Sequence, residues 1–153
     1  MKNEKLKLLA IASIGAHWIQ LLRITKTLND EFEVVYMSTH PKCETMLSGQ
    51  IYYTIPDFSR RNFYKLFPAF FRTMNIIKKE NPSTVITTGA APGLITLMAA
   101  KLLRRKTIWV DSIANVEKLS LSGKIASKFA TRAYTQWPEL AAEKIIYAGN
   151  VLS

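Results

Sequence analysis

The sequence of 153 residues is poor in cysteine, with Cys43 as its single thiol. One cysteine excludes an internal disulfide and is typical of a protein from a reducing, cytoplasmic compartment. It also falls short of every cysteine-based zinc pattern, so we predict no metal site and no cofactor. Glycine and proline number six each, which excludes collagenous and low-complexity chains and provides no linker between domains.

Long apolar runs and acidic residues are scarce as well. The most apolar early stretch, residues 6–14, is too short to cross a bilayer, which takes about 20 residues. We therefore expect any membrane contact to lie at the membrane surface. Eleven acidic residues against 21 Lys and Arg leave a formal charge of +10. This charge favours phosphates, nucleic acid or acidic lipid as partners without choosing among them.

Hydrophobic residues make up 48% of the chain, enough for the core of one domain over residues 1–153. Short apolar runs alternate with longer segments of helical period, which predicts an α/β fold: a Rossmann-like parallel sheet with flanking helices. The predicted strands are 6–12, 33–37, 51–55, 84–88, 107–110, 133–135 and 144–147. The predicted helices are 17–28, 62–79, 92–105, 123–131 and 138–142, and Ser122 is expected to cap the fourth.

Two small-residue loops follow predicted strands, where parallel sheets bind ligands. The first loop contains Ser13, Gly15, Ala16 and His17, whose amides can approach a phosphate beside an imidazole. With one glycine it is not a dinucleotide fingerprint, so a tight structural turn is the alternative. The second loop brings backbone close to a ligand at a helix start, with a plain strand-to-helix turn as the alternative. Its candidate residues are Gly89, Ala90, Ala91 and Gly93.

A third loop runs from Asp111, at the end of a predicted strand, to Lys124. It is too polar for a core strand, and its hydroxyl, amide and ammonium groups suit a hydroxyl-rich or phosphorylated ligand. The candidate residues are Ser112, Asn115, Ser120, Ser122 and Lys124.

Two motifs carry a resemblance to a known family: residues 119–124 (LSLSGK) and residues 136–140 (QWPEL). They resemble the membrane-associated, acceptor-side subunit of the two-chain UDP-N-acetylglucosamine transferase that acts on dolichyl-diphosphate-linked sugar. Bacterial capsule and exopolysaccharide counterparts of the PssD type are similar. This family usually has G-S-G-G-H where residues 13–17 stand, Glu at position 111 and Arg at position 115.

The resemblance implies the amino-terminal half of a GT-B glycosyltransferase that is split between two polypeptides. A separate donor-binding subunit would share the UDP-sugar, and the acceptor would be a lipid-diphosphate-linked saccharide used in polysaccharide biosynthesis. The enzyme half would be active only with its partner, on the cytoplasmic face of the cell membrane. His17 is then the candidate base or diphosphate contact, and Asp111 the rival base.

The same resemblance places the partner interface near the chain end, at Gln136, Trp137 and Tyr147. The alternative for Trp137 is an ordinary place in the core. Half of the sixteen aromatic residues fall between Tyr52 and Phe71, interspersed with basic residues. We predict a membrane surface there, formed by Arg60, Arg61, Tyr64 and Phe71. A stripe of Phe63, Phe67, Phe70, Met74 and Ile77 on the same helix is expected to cover the sheet, which is the alternative use of these aromatics.

Two other functions stay open at this point. A free-standing nucleotide-binding Rossmann protein is disfavoured, because no acidic residue ends the second strand to hold a ribose. A basic nucleic-acid-binding module has only the charge and the aromatics in its favour, and we expect no nucleic-acid partner.

Overall fold

The structure, a computed structural model, describes residues 4–59 and 61–152. Seven strands in this part of the chain form one parallel sheet in the order β3-β2-β1-β4-β5-β6-β7. The strands are β1 (Leu6–Ile11), β2 (Phe32–Ser38), β3 (Tyr52–Thr54), β4 (Thr84–Thr87), β5 (Lys106–Val110), β6 (Arg132–Thr135) and β7 (Ile146–Tyr147). The helices are α1 (Ala16–Leu28), α2 (Leu66–Glu80), α3 (Ala91–Leu102) and α4 (Leu121–Ala126). Short 3₁₀ turns lie at Pro41–Met46, Phe63–Lys65 and Pro138–Leu140.

Alternation along the strands gives the sheet two apolar faces. In β1, Leu9 and Ile11 face the core that α2, α3 and α4 cover, whereas Leu8 and Ala10 face α1. Successive side chains of a strand point to opposite faces, and helices on both faces bury them. The α/β prediction is therefore confirmed.

The strand order creates a crevice between β1 and β4. Leu8 pairs with Val34 of β2 on one side and with Thr84 of β4 on the other. The helices that follow β1 and β4 lie on opposite faces of the sheet, so the loops after these strands diverge at the carboxyl edge. Such a switch point is where open parallel sheets bind ligands.

The structure corrects the prediction for the aromatic helix. Phe63 and Phe67, expected in the buried stripe, are 66% and 62% exposed. The chain enters α2 through a 3₁₀ turn, and the buried side of α2 begins at Ala69. Two residues rotate an α-helix by about 200°, so Phe67 points away from the buried side. Phe70, Met74 and Ile77 pack against the core as predicted.

A second correction concerns the start of α4. Ser120, and not Ser122, caps this helix, since its hydroxyl accepts a hydrogen bond from the Gly123 amide at 2.9 Å. Among residues 4–59 and 61–152, no helix is long and apolar enough to cross a bilayer.

Candidate functional site

The three predicted loops meet in one cleft of about 280 Å³ at the carboxyl edge of the sheet. His17 lies at the start of α1, Thr88, Gly89 and Ala90 follow β4, and residues 111–115 follow β5. Ser120, Leu121 and Ser122, at the start of α4, complete the lining. A hollow of about 1290 Å³ at the amino edge is larger, but the charges of Lys7 and Glu80 there are paired with each other. We place the site in the smaller cleft, because it gathers residues of the loops after β1, β4 and β5 at the switch point.

His17 is held by its neighbour across the crevice. Its Nδ1 lies 3.0 Å from the Thr88 carbonyl oxygen, and the Thr88 hydroxyl donates to the His17 carbonyl at 2.6 Å. Because a carbonyl only accepts, Nδ1 is the protonated nitrogen of the neutral ring. The other nitrogen, Nε2, then has the lone pair that a base needs, whereas a contact to an anion would need Nε2 to carry a proton as well.

Gly89 makes this arrangement possible. A Cβ at this position would stand 3.0 Å from both Cε1 and Nδ1 of His17, and the residue has φ +117°, which L side chains rarely adopt. The loop after β4 therefore lies so close to the imidazole that a side chain at position 89 would crowd it.

Asp111 is not placed as a base. Its side chain is 1% exposed, and its two oxygens accept four hydrogen bonds. Oδ1 accepts from Trp109 Nε1 at 3.0 Å and from the Ser120 hydroxyl at 2.7 Å, while Oδ2 accepts from Asn115 Nδ2 at 3.0 Å and from the Ser120 amide at 3.1 Å. A carboxylate so occupied has no free lone pair directed at a ligand. It shapes the 111–120 loop instead.

Some of the other predicted ligand contacts line the cleft, and the rest lie outside its lining. Ser112, Asn115, Ser120 and Ser122 line the cleft with Gly89 and Ala90, as their loops predicted. Ser13 is half-buried and joins the first two loops, since its amide donates to the Gly89 carbonyl at 3.4 Å. Gly15 and Ala16 are exposed beside the cleft, and Ala91 begins α3 outside its lining.

Gly93 and Lys124 do not line the cleft. Gly93 is buried beneath it, where a Cβ would stand 2.1 Å from Thr87 Oγ1, so this glycine serves close packing of α3 on β4. Lys124 is exposed on α4 and is not among the lining residues.

The residues predicted for a partner interface have different surroundings. Gln136 is 3% exposed, and its Oε1 accepts from the Val151 amide at 2.9 Å, so it fastens the chain end and is not a surface anchor. Trp137 is half-buried and donates from Nε1 to the Ile113 carbonyl at 2.8 Å. Tyr147 is 39% exposed on β7, at the edge of the sheet.

The predicted membrane residues lie at the start of α2. Tyr64 and Phe71 are 64% and 62% exposed, and Arg61 is exposed beside them. Arg60 lies outside the described residues. The Arg72 guanidinium donates to the Thr54 carbonyl at 2.7 Å, which fixes this half of α2 near the end of β3 and thus at the same edge of the sheet as the cleft.

The predicted contacts omitted five residues in or behind the cleft: Gln20, Thr88, Trp109, Ala114 and Leu121. Gln20 interrupts the apolar side of α1 one turn after His17, and a buried polar residue at that spacing was the available signal. Thr88 and Leu121 stood inside recognised loops. Nothing local distinguished them from their neighbours.

Comparison with known proteins identifies the family. Residues 59–151 match the family model described as "Oligosaccharide biosynthesis protein Alg14 like", which is more than half of the chain. The chain belongs to this family. The UDP-N-acetylglucosamine transferase subunit ALG14 of Yarrowia lipolytica is 27% identical over 92% of this chain and 77% of the relative. The mouse subunit of the same name is 23% identical over 98% of this chain and 85% of the relative.

A bacterial transferase is similar as well. The N-acetylglucosamine transferase of Borrelia garinii, whose name includes a pyrophosphoryl-undecaprenol acceptor, is 25% identical over 98% of this chain and 46% of its own length. Among solved structures, MurG of Acinetobacter baumannii has a TM-score of 0.79 at 18% identity, over 94% of this chain and 45% of that chain. The chain thus has the fold of one half of these longer proteins. The family relationship supports a glycosyltransferase-subunit role.

Proposed function

We propose that the chain is the acceptor-binding and membrane-docking subunit of a two-component UDP-sugar glycosyltransferase. The reaction adds a sugar to a lipid-diphosphate-linked saccharide in polysaccharide biosynthesis, as in capsule or exopolysaccharide formation. The observation that carries this proposal is the cleft at the β1–β4 switch point, where His17 faces a wall of hydroxyl and amide groups. Nε2 of His17 serves as the base on the acceptor hydroxyl or, when it carries a proton, as a donor to the acceptor diphosphate.

A separate donor-binding subunit is supported by the names of the relatives, which call ALG14 a transferase subunit. The present chain covers under half of the structurally similar MurG chain. A GT-B site lies between two facing domains, and the described residues form one sheet, with the His17 cleft at its carboxyl edge. In this proposal the facing, donor-binding domain belongs to the partner subunit.

The chain end offers a surface for that subunit. A groove of about 490 Å³ on the α1 side of the sheet is lined by Ile86, Ile108 and Val110. Arg23 of α1 and the segment 148–151 form its walls. Parallel sheets bury both faces, so an apolar groove over the central strands suits a partner helix. Tyr147, close in sequence to this wall, belongs to the proposed interface. The role of Trp137 there stays a prediction.

Four exposed aromatic side chains form the proposed membrane surface: Phe63, Tyr64, Phe67 and Phe71. Arg61 stands beside them, and Arg60 belongs to the same proposal. Aromatic insertion combined with basic residues attracts a protein to anionic lipid by about 1 kcal/mol per cation. Because α2 begins at the carboxyl edge of the sheet, docking through this surface brings the cleft to a lipid-linked acceptor. The chain would act on the inner face of the cell membrane.

The direct test is transfer of sugar from UDP-N-acetylglucosamine to a lipid-diphosphate saccharide. We expect the isolated chain to be inactive and the co-expressed pair to turn over. His17→Ala should lower turnover about 10²-fold, as loss of a general base does. His40→Ala is the matched control, since His40 is exposed in another loop. Robust activity of the single chain would contradict the split enzyme, and full activity of His17→Ala would remove His17 from its proposed role.

The partner surface is tested by removal of residues 147–153. Loss of this segment takes away one wall of the groove, so the truncated chain should no longer co-purify with the donor subunit. A chain that lacks only Ser153 serves as the control. If the complex survives the longer truncation, the interface lies elsewhere.

The membrane surface is tested by co-sedimentation with anionic and neutral vesicles. We compare the natural chain with Arg61→Glu, Phe71→Ser, and with the control Leu6→Ser, Lys78→Glu, whose sites are exposed at the opposite edge. Binding to anionic vesicles should fall in the first variant and persist in the control. Equal binding by both variants would discard this surface.

A further inference from the structure

Gln20 is a buried polar side chain that joins α1 to the segment after β5. It is 4% exposed, and its Nε2 donates to the Asp111 carbonyl at 3.0 Å while its Oε1 accepts from the Ile113 amide at 3.0 Å. A neighbouring strand would bind these same two groups, the carbonyl of one residue and the amide two positions later. Beyond the end of β5, the carboxamide thus makes the two hydrogen bonds that a neighbouring strand would make.

The same helix also holds the imidazole of the cleft. His17 and Gln20 are three positions apart, so they lie on one side of α1. His17 binds the loop after β4 through Thr88, and Gln20 binds the loop after β5. Through these two residues, α1 fixes two walls of the cleft relative to each other.

Ile113 is held from a second direction. Its carbonyl accepts the Trp137 indole N–H at 2.8 Å, so Gln20 and Trp137 together occupy both main-chain polar groups of this residue. Ser112 lies one position before Ile113 and Asn115 two positions after it, and both line the cleft.

Stability alone is a weak reason for this glutamine. An unsatisfied buried amide costs about 1–3 kcal/mol, and satisfied hydrogen bonds return little more than that cost. An apolar side chain would fill the same volume, but the Asp111 carbonyl and the Ile113 amide would lose these partners. What the two bonds add is a fixed position for residues 111–113.

We propose that Gln20 is a positioning residue of the transferase, which sets the Ser112–Asn115 wall at its distance from the His17 imidazole. This inference rests on the proposed function. A misplacement of about 1 Å in a reacting site lowers rates up to roughly 10²-fold, so loss of the carboxamide should lower acceptor turnover while donor binding persists.

The test compares Gln20→Met, which keeps volume and loses both bonds, with Thr25→Val. Thr25 is also buried in α1, where its hydroxyl bonds Tyr36 and the Leu21 carbonyl, remote from the cleft. We expect faster amide hydrogen exchange over residues 111–120 in Gln20→Met and unchanged exchange there in Thr25→Val. With the partner present, kcat/KM for the acceptor should fall roughly 10- to 100-fold, while KM for the UDP-sugar stays as in the natural chain.

A second variant, Trp137→Phe, removes the other bond to Ile113 and decides the matter if Gln20→Met does not fold. It should loosen the same segment, and exchange is measured on the isolated chain, so the predicted role of Trp137 at the partner interface does not affect the result. Natural exchange in a folded variant, or faster exchange with natural acceptor kinetics, overturns the inference. An inactive natural complex would overturn the proposed function, and the exchange data would still decide whether Gln20 orders the segment.

Discussion

Replacement of Asp111 by asparagine tests whether the carboxylate of this residue has a structural or a catalytic role. The change keeps the shape of the side chain but turns one acceptor oxygen into an NH₂ donor. At Oδ1 that donor would face the Trp109 indole N–H, and at Oδ2 it would face the Ser120 amide. Neither group can turn round, so Asp111→Asn loses at least one hydrogen bond in either orientation.

The expected loss follows from the charge on the acceptor. A hydrogen bond to a charged group contributes about 1.5–3 kcal/mol, and the variant also leaves a buried donor without a partner. We therefore expect the free energy of unfolding to fall by about 2–3 kcal/mol. For a chain of this size, that corresponds to a drop in Tm of roughly 4–12 °C.

Thermal unfolding followed by circular dichroism measures this drop, with Asp30→Asn, at an exposed aspartate, as the control. Transfer activity with the partner is measured on the same samples below their melting temperatures. An unchanged Tm together with turnover about 10²-fold lower would refute the structural reading and restore Asp111 as a base.

Gly93→Ala should destabilise the fold by about 1–3 kcal/mol in urea unfolding, because its Cβ would displace the Thr87 hydroxyl that the Gly89 amide binds; an unchanged midpoint would contradict this packing. The hydrogen bond from Tyr53, followed by that from Lys7, lowers the pKa of Glu80, and the bond to Glu80 raises the pKa of Tyr53 to about 12. The Glu80 carboxylate therefore stabilises the fold above the ordinary carboxyl pKa, and this stability is lost as pH falls through its depressed pKa. Glu80→Gln should accordingly have a lower free energy of unfolding than the natural chain at pH 7, and this difference should narrow below about pH 4. A difference that does not change with pH, or an equal one for the exposed-site control Glu33→Gln, would argue against the hydrogen bonds of Glu80 as its cause.

Comparison of the sequence with the structure shows which features are local. The apolar run at residues 6–12 predicts β1 to within one residue, and the small-residue turns predict where α1 and α3 begin. The topological rule that ligands bind where parallel strands end brought the loops of His17, Gly89 and Asp111 to one edge. These features depend on neighbours along the chain.

The chemistry of individual side chains within the site was less predictable. A carboxylate at a strand end looks the same in the sequence whether it faces a ligand or four donors, and Asp111 turned out to face the donors. The sequence predicted Gln136 for an interface, whereas in the structure its side chain is buried and accepts a hydrogen bond from the Val151 amide.

The sequence by itself determined the alternation of strands and helices and the position of the imidazole after the first strand, since periodicity and turn residues act over a few positions. Only the tertiary structure decided the partners of Asp111, Gln20 and Trp137, and which aromatics of α2 face outward. The physical reason differs between them. The partners of Asp111 lie within nine positions and depend on how the 111–120 loop folds, whereas Gln20 and Ile113 lie 93 positions apart. The distance between these two depends on the order of strands in the sheet, which no local pattern contains.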